Sequence, residues 1–261
     1  MSCMRNIAIT LCFDGRRYHG WQCQQNAMTV QQRLEEAIES LTSERVRLTA
    51  CSRTDAGVHA NMFVCNFRTR CTIPTQKLPF ALNAKLDGDI SVLQAREANA
   101  AFNSRFDCVG KEYVYRILNR TFRDPFLCGR AWHYPYGLDI WAMRRAADFI
   151  PGRRDFSAFM AQGSSVKTTV RDVKYIEVKK DGDMVDIYVC ADGFLYNMVR
   201  IITGTLVWAG RGKIAPEYVG DIISAGKREL AGPTAPPDGL YLNRVFYDKL
   251  PEKAEISFCE D

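Results

Sequence analysis

The chain has 261 residues, 47% hydrophobic and 25% charged, with a formal net charge of +5; this is the profile of a soluble globular protein of one large or two ordinary domains. No apolar run approaches the ~20 residues that span a bilayer, and Met1–Cys12 lacks the apolar core and cleavage pattern of a signal peptide, so no membrane partner and a cytoplasmic location are expected. The ten cysteines are scattered without a C-x-x-C pair and the three histidines, His19, His59 and His133, are far apart, which argues for reduced thiols rather than a disulfide scaffold and against a metal site.

In chain order, Ile7–Phe13 reads as a strand that ends at Asp14-Gly15. The loop Tyr18-His19-Gly20-Trp21-Gln22 leads to a helix. There Thr29 and Gln32 form a capping-box pattern, and Val30, Leu34, Ala37, Ile38 and Leu41 follow helical spacing. A strand over Arg45–Cys51 runs into the string CSRTDAGVHA at 51–60, and Asn61–Arg68 is the next strand. A short helix from Pro74 toward Leu86 and a strand over Ile90–Ala98 complete the order strand, helix, strand, strand, helix, strand. That is the split βαβ order of ferredoxin-like folds.

The second half reads as a decorated version of the same order. Tyr113–Leu118 is a strand placing Tyr113, Tyr115 and Ile117 on one face, and Asp139 caps a helix carrying Ile140, Met143, Ala146, Ala147 and Ile150. Val170–Val178 and Met184–Cys190 form a hairpin around the Asp181-Gly182 turn. Helices over Leu195–Leu206 and Pro216–Ala225, a Pro-rich loop at Gly232–Gly239 and a strand over Leu240–Tyr247 follow. The expected fold class is therefore α+β, two tandem ferredoxin-like halves over residues 1–104 and 105–261.

Charge is unevenly spread. Residues 105–174 hold 13 Lys/Arg against 7 Asp/Glu, interleaved with Tyr113, Tyr115, Phe122, Phe126, Trp132, Tyr134 and Tyr136. This is the composition that holds phosphates and stacks bases, and equally that of a solvated basic surface over core aromatics. Asp55, before Ala56-Gly57, suits a turn in which Gly57 takes a positive φ. Yet Arg53 stands two residues earlier, and the chain has no Gly-rich phosphate loop, G-x-S-x-G or H-E-x-x-H to serve as another centre. Arg200 lies inside a helix that is otherwise apolar around most of its circumference, where it either snorkels from the edge or serves a carboxylate.

The phrases FDGRRYHGWQCQ, TVQQRLEEAI, SRTDAGVHA, KEYVYRI, GFLYNMVRIITG and DGLYLNRVFY occur in this order from about Asn6 to Tyr247, and together they resemble the tRNA pseudouridine synthase A family. One position departs: Ser52 stands where many members have glycine before the arginine. The resemblance implies two ferredoxin-like halves sharing a continuous, mostly antiparallel sheet with a positively charged cleft, and a homodimer. It implies isomerisation of uridine to pseudouridine at positions 38, 39 and 40 of the tRNA anticodon stem-loop. It assigns Asp55 as the catalytic aspartate, Arg53 as the residue filling the space of the flipped nucleotide, Tyr113 as the ring stacked on uracil, and Arg200 as the partner of the aspartate. The reaction breaks N1–C1′ and joins C5 to C1′ without redox change or hydrolysis, so no cofactor or metal is expected. Two rival readings use the same residues: a non-catalytic RNA-binding module on a ferredoxin-like sheet, and a carboxylate-dependent nucleosidase, which would need a second carboxylate.

Overall fold

The strand predicted at Ile7–Phe13 forms as β1 (Arg5–Phe13) in the computed structural model, which describes residues 4–163 and 166–250. Its side chains are buried on both faces, Ile7, Ile9 and Leu11 completely, and both of its edges are paired. One edge takes β3 (His59–Thr69) and the other β4 (Ile90–Ala98), both antiparallel. Between β1 and β3 runs α1 (Val30–Thr42). The Thr29 hydroxyl accepts from the Gln32 N–H at 3.3 Å, as the capping pattern predicts, while the Gln32 side chain donates forward to Glu36.

The strand expected over Arg45–Cys51 contracts to β2 (Thr49–Ala50), paired with Asn66 and Cys65. Upstream, the Leu48 N–H donates to the Glu35 carboxylate at 2.9 Å instead of to a ladder. The short helix α2 (Leu78–Asn83) follows a 3₁₀ turn and docks through Asn83, whose amide bonds both backbone groups of Val92. The resulting order β4-β1-β3-β2 is the ferredoxin-like one, and the unit runs through Val109. It also takes back Tyr241–Asp248, most of β10 (Leu240–Phe246). Tyr241 and Leu242 run parallel to His59 and Ala60, so β2 and β10 share one edge of β3. Buried Asn66 donates to Asn6 and accepts from the Ser104 N–H, tying the segment after β4 to the sheet.

The second unit, Gly110–Leu240, has the strand order β5-β9-β8-β7 for β5 (Gly110–Leu118), β7 (Gly152–Asp155), β8 (Val170–Asp181) and β9 (Met184–Ala191), all antiparallel. A two-residue strand, β6 (Trp132–His133), lies parallel on β5. The predicted hairpin forms, with Gly182 at φ +52° in its turn. On β5 the expected one-faced alternation gives way to burial on both faces, since Glu112, Val114 and Leu118 are buried along with Tyr113, Tyr115 and Ile117.

Three helices complete this unit: α3 (Ile140–Ala147), capped by the Asp139 carboxylate on the Ala142 N–H, α4 (Met198–Gly210) and α5 (Tyr218–Ala225). Helix α4 begins three residues later than expected because Asn197 sits at φ +60°, outside helical space. Among the described residues no helix is long and apolar enough to cross a membrane, and the eight described cysteines are free thiols.

Candidate functional site

The string CSRTDAGVHA forms the connection from β2 to β3. Cys51 and Thr54 are buried, Arg53 is exposed and Asp55 is half-buried. The turn is closed by the main chain: the Val58 N–H donates to the Asp55 carbonyl at 3.2 Å, and Gly57 holds φ at +79°. Ser52 does not have a positive φ, so its backbone does not require a glycine.

The loop FDGRRYHGW is packed against this connection. The Trp21 N–H donates to the Thr54 carbonyl and the Gly57 N–H to the Tyr18 carbonyl, each at 3.2 Å. Two glycines make the approach possible. A β-carbon on Gly15 would lie 2.0 Å from the Val58 oxygen, and one on Gly20 would lie 2.2 Å from the Thr54 oxygen. Trp21 is buried beneath, stacked on Phe63 at 4.1 Å between ring centres. Gln22 and Gln25 are exposed, and Gln24 donates to the His19 carbonyl.

Charge orders the same loop. Asp14 accepts from the Arg16 backbone and guanidinium, the shortest of these bonds being 2.7 Å. Burial pushes the Asp14 carboxyl up, but the bonds from Arg16, together with the charges of His59 when protonated and of Arg16, outweigh it and hold the group at about 2. The Tyr18 hydroxyl donates to Asp89 at 2.6 Å; burial and that carboxylate raise its pKa. His59, buried at the head of β3, accepts from the Gly15 N–H through Nδ1 at 3.1 Å.

Tyr113 and Arg200 belong to the second unit. Tyr113 lies opposite Val189 on β5, is 7% exposed, and meets Phe194 edge-on at 4.9 Å. Arg200, the third residue of α4, is half-buried and does not extend freely to solvent as a snorkelling side chain would. Its Nε donates to the Ala235 carbonyl and an Nη to the Asn197 side chain, both at 2.7 Å. The Ala235 N–H returns to the Arg200 carbonyl at 3.1 Å, so helix start and Pro-rich loop hold the guanidinium between them.

The aromatic and basic middle of the chain splits into different roles. Tyr115 is core, its hydroxyl donating to the Pro236 carbonyl at 2.7 Å, whereas Phe122, Phe126 and Tyr136 are exposed. Arg144 is fixed by donation to the Val178 carbonyl, while Arg145, Arg153 and Arg154 are exposed. Sequence reasoning missed His59, Asp14, Gly15 and Gly20 as parts of the site. For Asp14, Gly15 and Gly20 the signal was an Asp-Gly turn followed by a second glycine within seven positions; His59 carried none beyond its place in the string SRTDAGVHA.

A family model described as tRNA pseudouridine synthase matches residues 10–107 and 146–248. A tRNA pseudouridine synthase A of Thermoanaerobacter sp. (strain X514) is 48% identical over 244 residues, covering 94% of this chain and 100% of the relative. A tRNA pseudouridine synthase A 2 of Clostridium perfringens and a tRNA pseudouridine synthase A of Acetivibrio thermocellus are each 45% identical over the same shares. The family match runs through the Asp55 loop, the loop that clamps it and the start of α4: this chain belongs to the tRNA pseudouridine synthase family, enzymes that isomerise uridine in tRNA to pseudouridine.

Proposed function

We propose that the chain acts at uridines 38, 39 and 40 of the tRNA anticodon stem-loop, with Asp55 as the catalytic carboxylate and without a cofactor, as a cytoplasmic homodimer. The observation that carries the catalytic assignment is the Asp55 loop itself. Its turn is closed by main-chain bonds and Gly57, and two glycines clamp it, so the turn has its own supports besides the Asp55 carboxylate. A carboxylate that attacks C1′ or adds to C6 divides one difficult isomerisation into easier steps. The base leaves the stack first, at a cost of a few kcal/mol. Stacking on Tyr113 offsets part of this, at ~1–3 kcal/mol per base. Arg53, exposed two residues before Asp55, fills the space of the flipped nucleotide, and Arg200 supplies the cation that favours the ionised carboxylate.

The test is incubation with unmodified tRNA in the absence of cofactor, followed by nucleoside mapping. The wild type forms pseudouridine at the three positions. Asp55→Asn lowers turnover by at least about 10³-fold while tRNA binding stays near wild type. Retained turnover in Asp55→Asn removes the catalytic role, release of free uracil turns the reading to a nucleosidase, and binding without product turns it to an RNA-binding module.

A further inference from the structure

We propose that His59 is a positioning residue for Asp55, its ring nitrogen accepting from a main-chain N–H and so fixing the Gly15 turn against the catalytic loop. The proposal rests on the reading of Asp55 as the catalytic carboxylate. His59 is 1% exposed, four residues after Asp55. Its Nδ1 lies 3.1 Å from the Gly15 nitrogen and 3.3 Å from an Asp14 oxygen. With the Gly15 N–H donating, Nδ1 carries the lone pair and the ring proton sits on Nε2. The nearby Asp14 carboxylate receives donors from Arg16. The ring plane is set from a third side by Tyr241, stacked at 4.5 Å and 17°, its register partner across β3 and β10.

These interactions form one chain of constraints. His59 holds the Gly15 N–H. Gly15 lies against the Val58 carbonyl with room for no side chain. Three residues on, the Tyr18 carbonyl holds the Gly57 N–H, and the Val58 N–H closes the turn on Asp55. An apolar ring in place of His59 would fill the volume but leave the buried Gly15 N–H without its acceptor. The turn would then shift to find another partner, because a buried N–H left without an acceptor loses its solvation with nothing in return. A displacement on the order of 1 Å at a reacting group is worth about 10² in rate.

Two substitutions separate the acceptor from the ring. His59→Phe keeps a stacking ring and removes the acceptor. His59→Asn removes the ring and keeps an oxygen where Nδ1 stands. Single-turnover rates on unmodified tRNA and Kd for the same tRNA are measured for both, with Asp55→Asn as control. The expected result is a fall of about 10²-fold in rate for His59→Phe with Kd within about threefold, and recovery of at least about tenfold in His59→Asn. A wild-type rate in His59→Phe overturns the proposal, as does a rate in His59→Asn no better than in His59→Phe. If His59→Phe does not fold, His59→Asn decides alone: a rate within about tenfold of wild type supports the acceptor role, and a larger loss overturns it. Activity in Asp55→Asn would instead sink the reading of Asp55, so the two failures are told apart.

Discussion

Gly20 holds φ at +80° and has the Thr54 carbonyl where its β-carbon would be, so two separate reasons exclude a side chain there. Neither reason is visible in YHGWQ as a string, because close approach is a property of two segments and the second is 34 positions away. By contrast the turn after Asp55 is legible, since Asp-Ala-Gly marks it in adjacent letters and Gly57 takes the positive φ. Asp14 gives this clamp a pH dependence. Its folded pKa of about 2 lies below the ~3.9 of an unfolded aspartate. Its contribution is therefore complete above about pH 4 and is lost as pH falls through about 2. Asp14→Asn should be less stable than wild type in urea at about pH 6, and the gap should narrow steadily between about pH 4 and pH 2. A gap that stayed constant over that interval would show that the ionised carboxylate is not what stabilises the loop.

The element that sets Arg200 is as much a loop as a helix. Helix α4 is buried around almost its whole circumference, and Gly204 permits this: a β-carbon there would lie 1.8 Å from the Pro233 oxygen. The Gly232 N–H donates to the Thr205 hydroxyl at 2.8 Å, and the Ala235 backbone exchanges bonds with Arg200 one turn earlier. Gly204→Ala therefore displaces the Pro-rich loop, with an expected loss of about 1–3 kcal/mol in urea unfolding and a fall in turnover larger than the change in tRNA affinity. Unchanged stability and turnover would mean that the loop yields without cost. The long periodic elements around it were readable: α1 and α3 start at the capping residues the sequence names, and the hairpin turns at Gly182. Those missed were β6, two residues long, and β7, exposed at every position; neither length nor hydrophobic period marks them. The contraction of β2 follows from the Glu35 carboxylate taking the Leu48 N–H, an interaction between elements that no local pattern predicts.

At the scale of the whole molecule, a net charge of +5 says only that a polyanion is tolerated. The positions of the charges decide which ones meet phosphate. In the basic stretch at 105–174, several cations are already engaged: Arg120 with Asp124, Lys174 with Asp172, Arg116 with Asp186, and Arg144 with the Val178 carbonyl. Arg153 and Arg154 are both exposed on β7, and Arg154 donates through Nε to the nearby Pro151 carbonyl at 3.2 Å. Removing one cation that neutralises a phosphate lowers the slope of log K against log salt by about 0.7–0.9. The Arg153→Ala, Arg154→Ala double variant should therefore bind tRNA more weakly and with a slope shallower by about 1.5, with unfolding unchanged. Arg144→Ala should do the reverse: it removes a bond to β8 and destabilises the protein while the salt slope stays near wild type. Fluorescence anisotropy titrations of tRNA at several salt concentrations, beside urea unfolding of each variant, measure both quantities. A double variant with the wild-type slope would place β7 off the RNA path, and a reduced slope in Arg144→Ala would mean that its guanidinium reaches phosphate despite its bond to Val178.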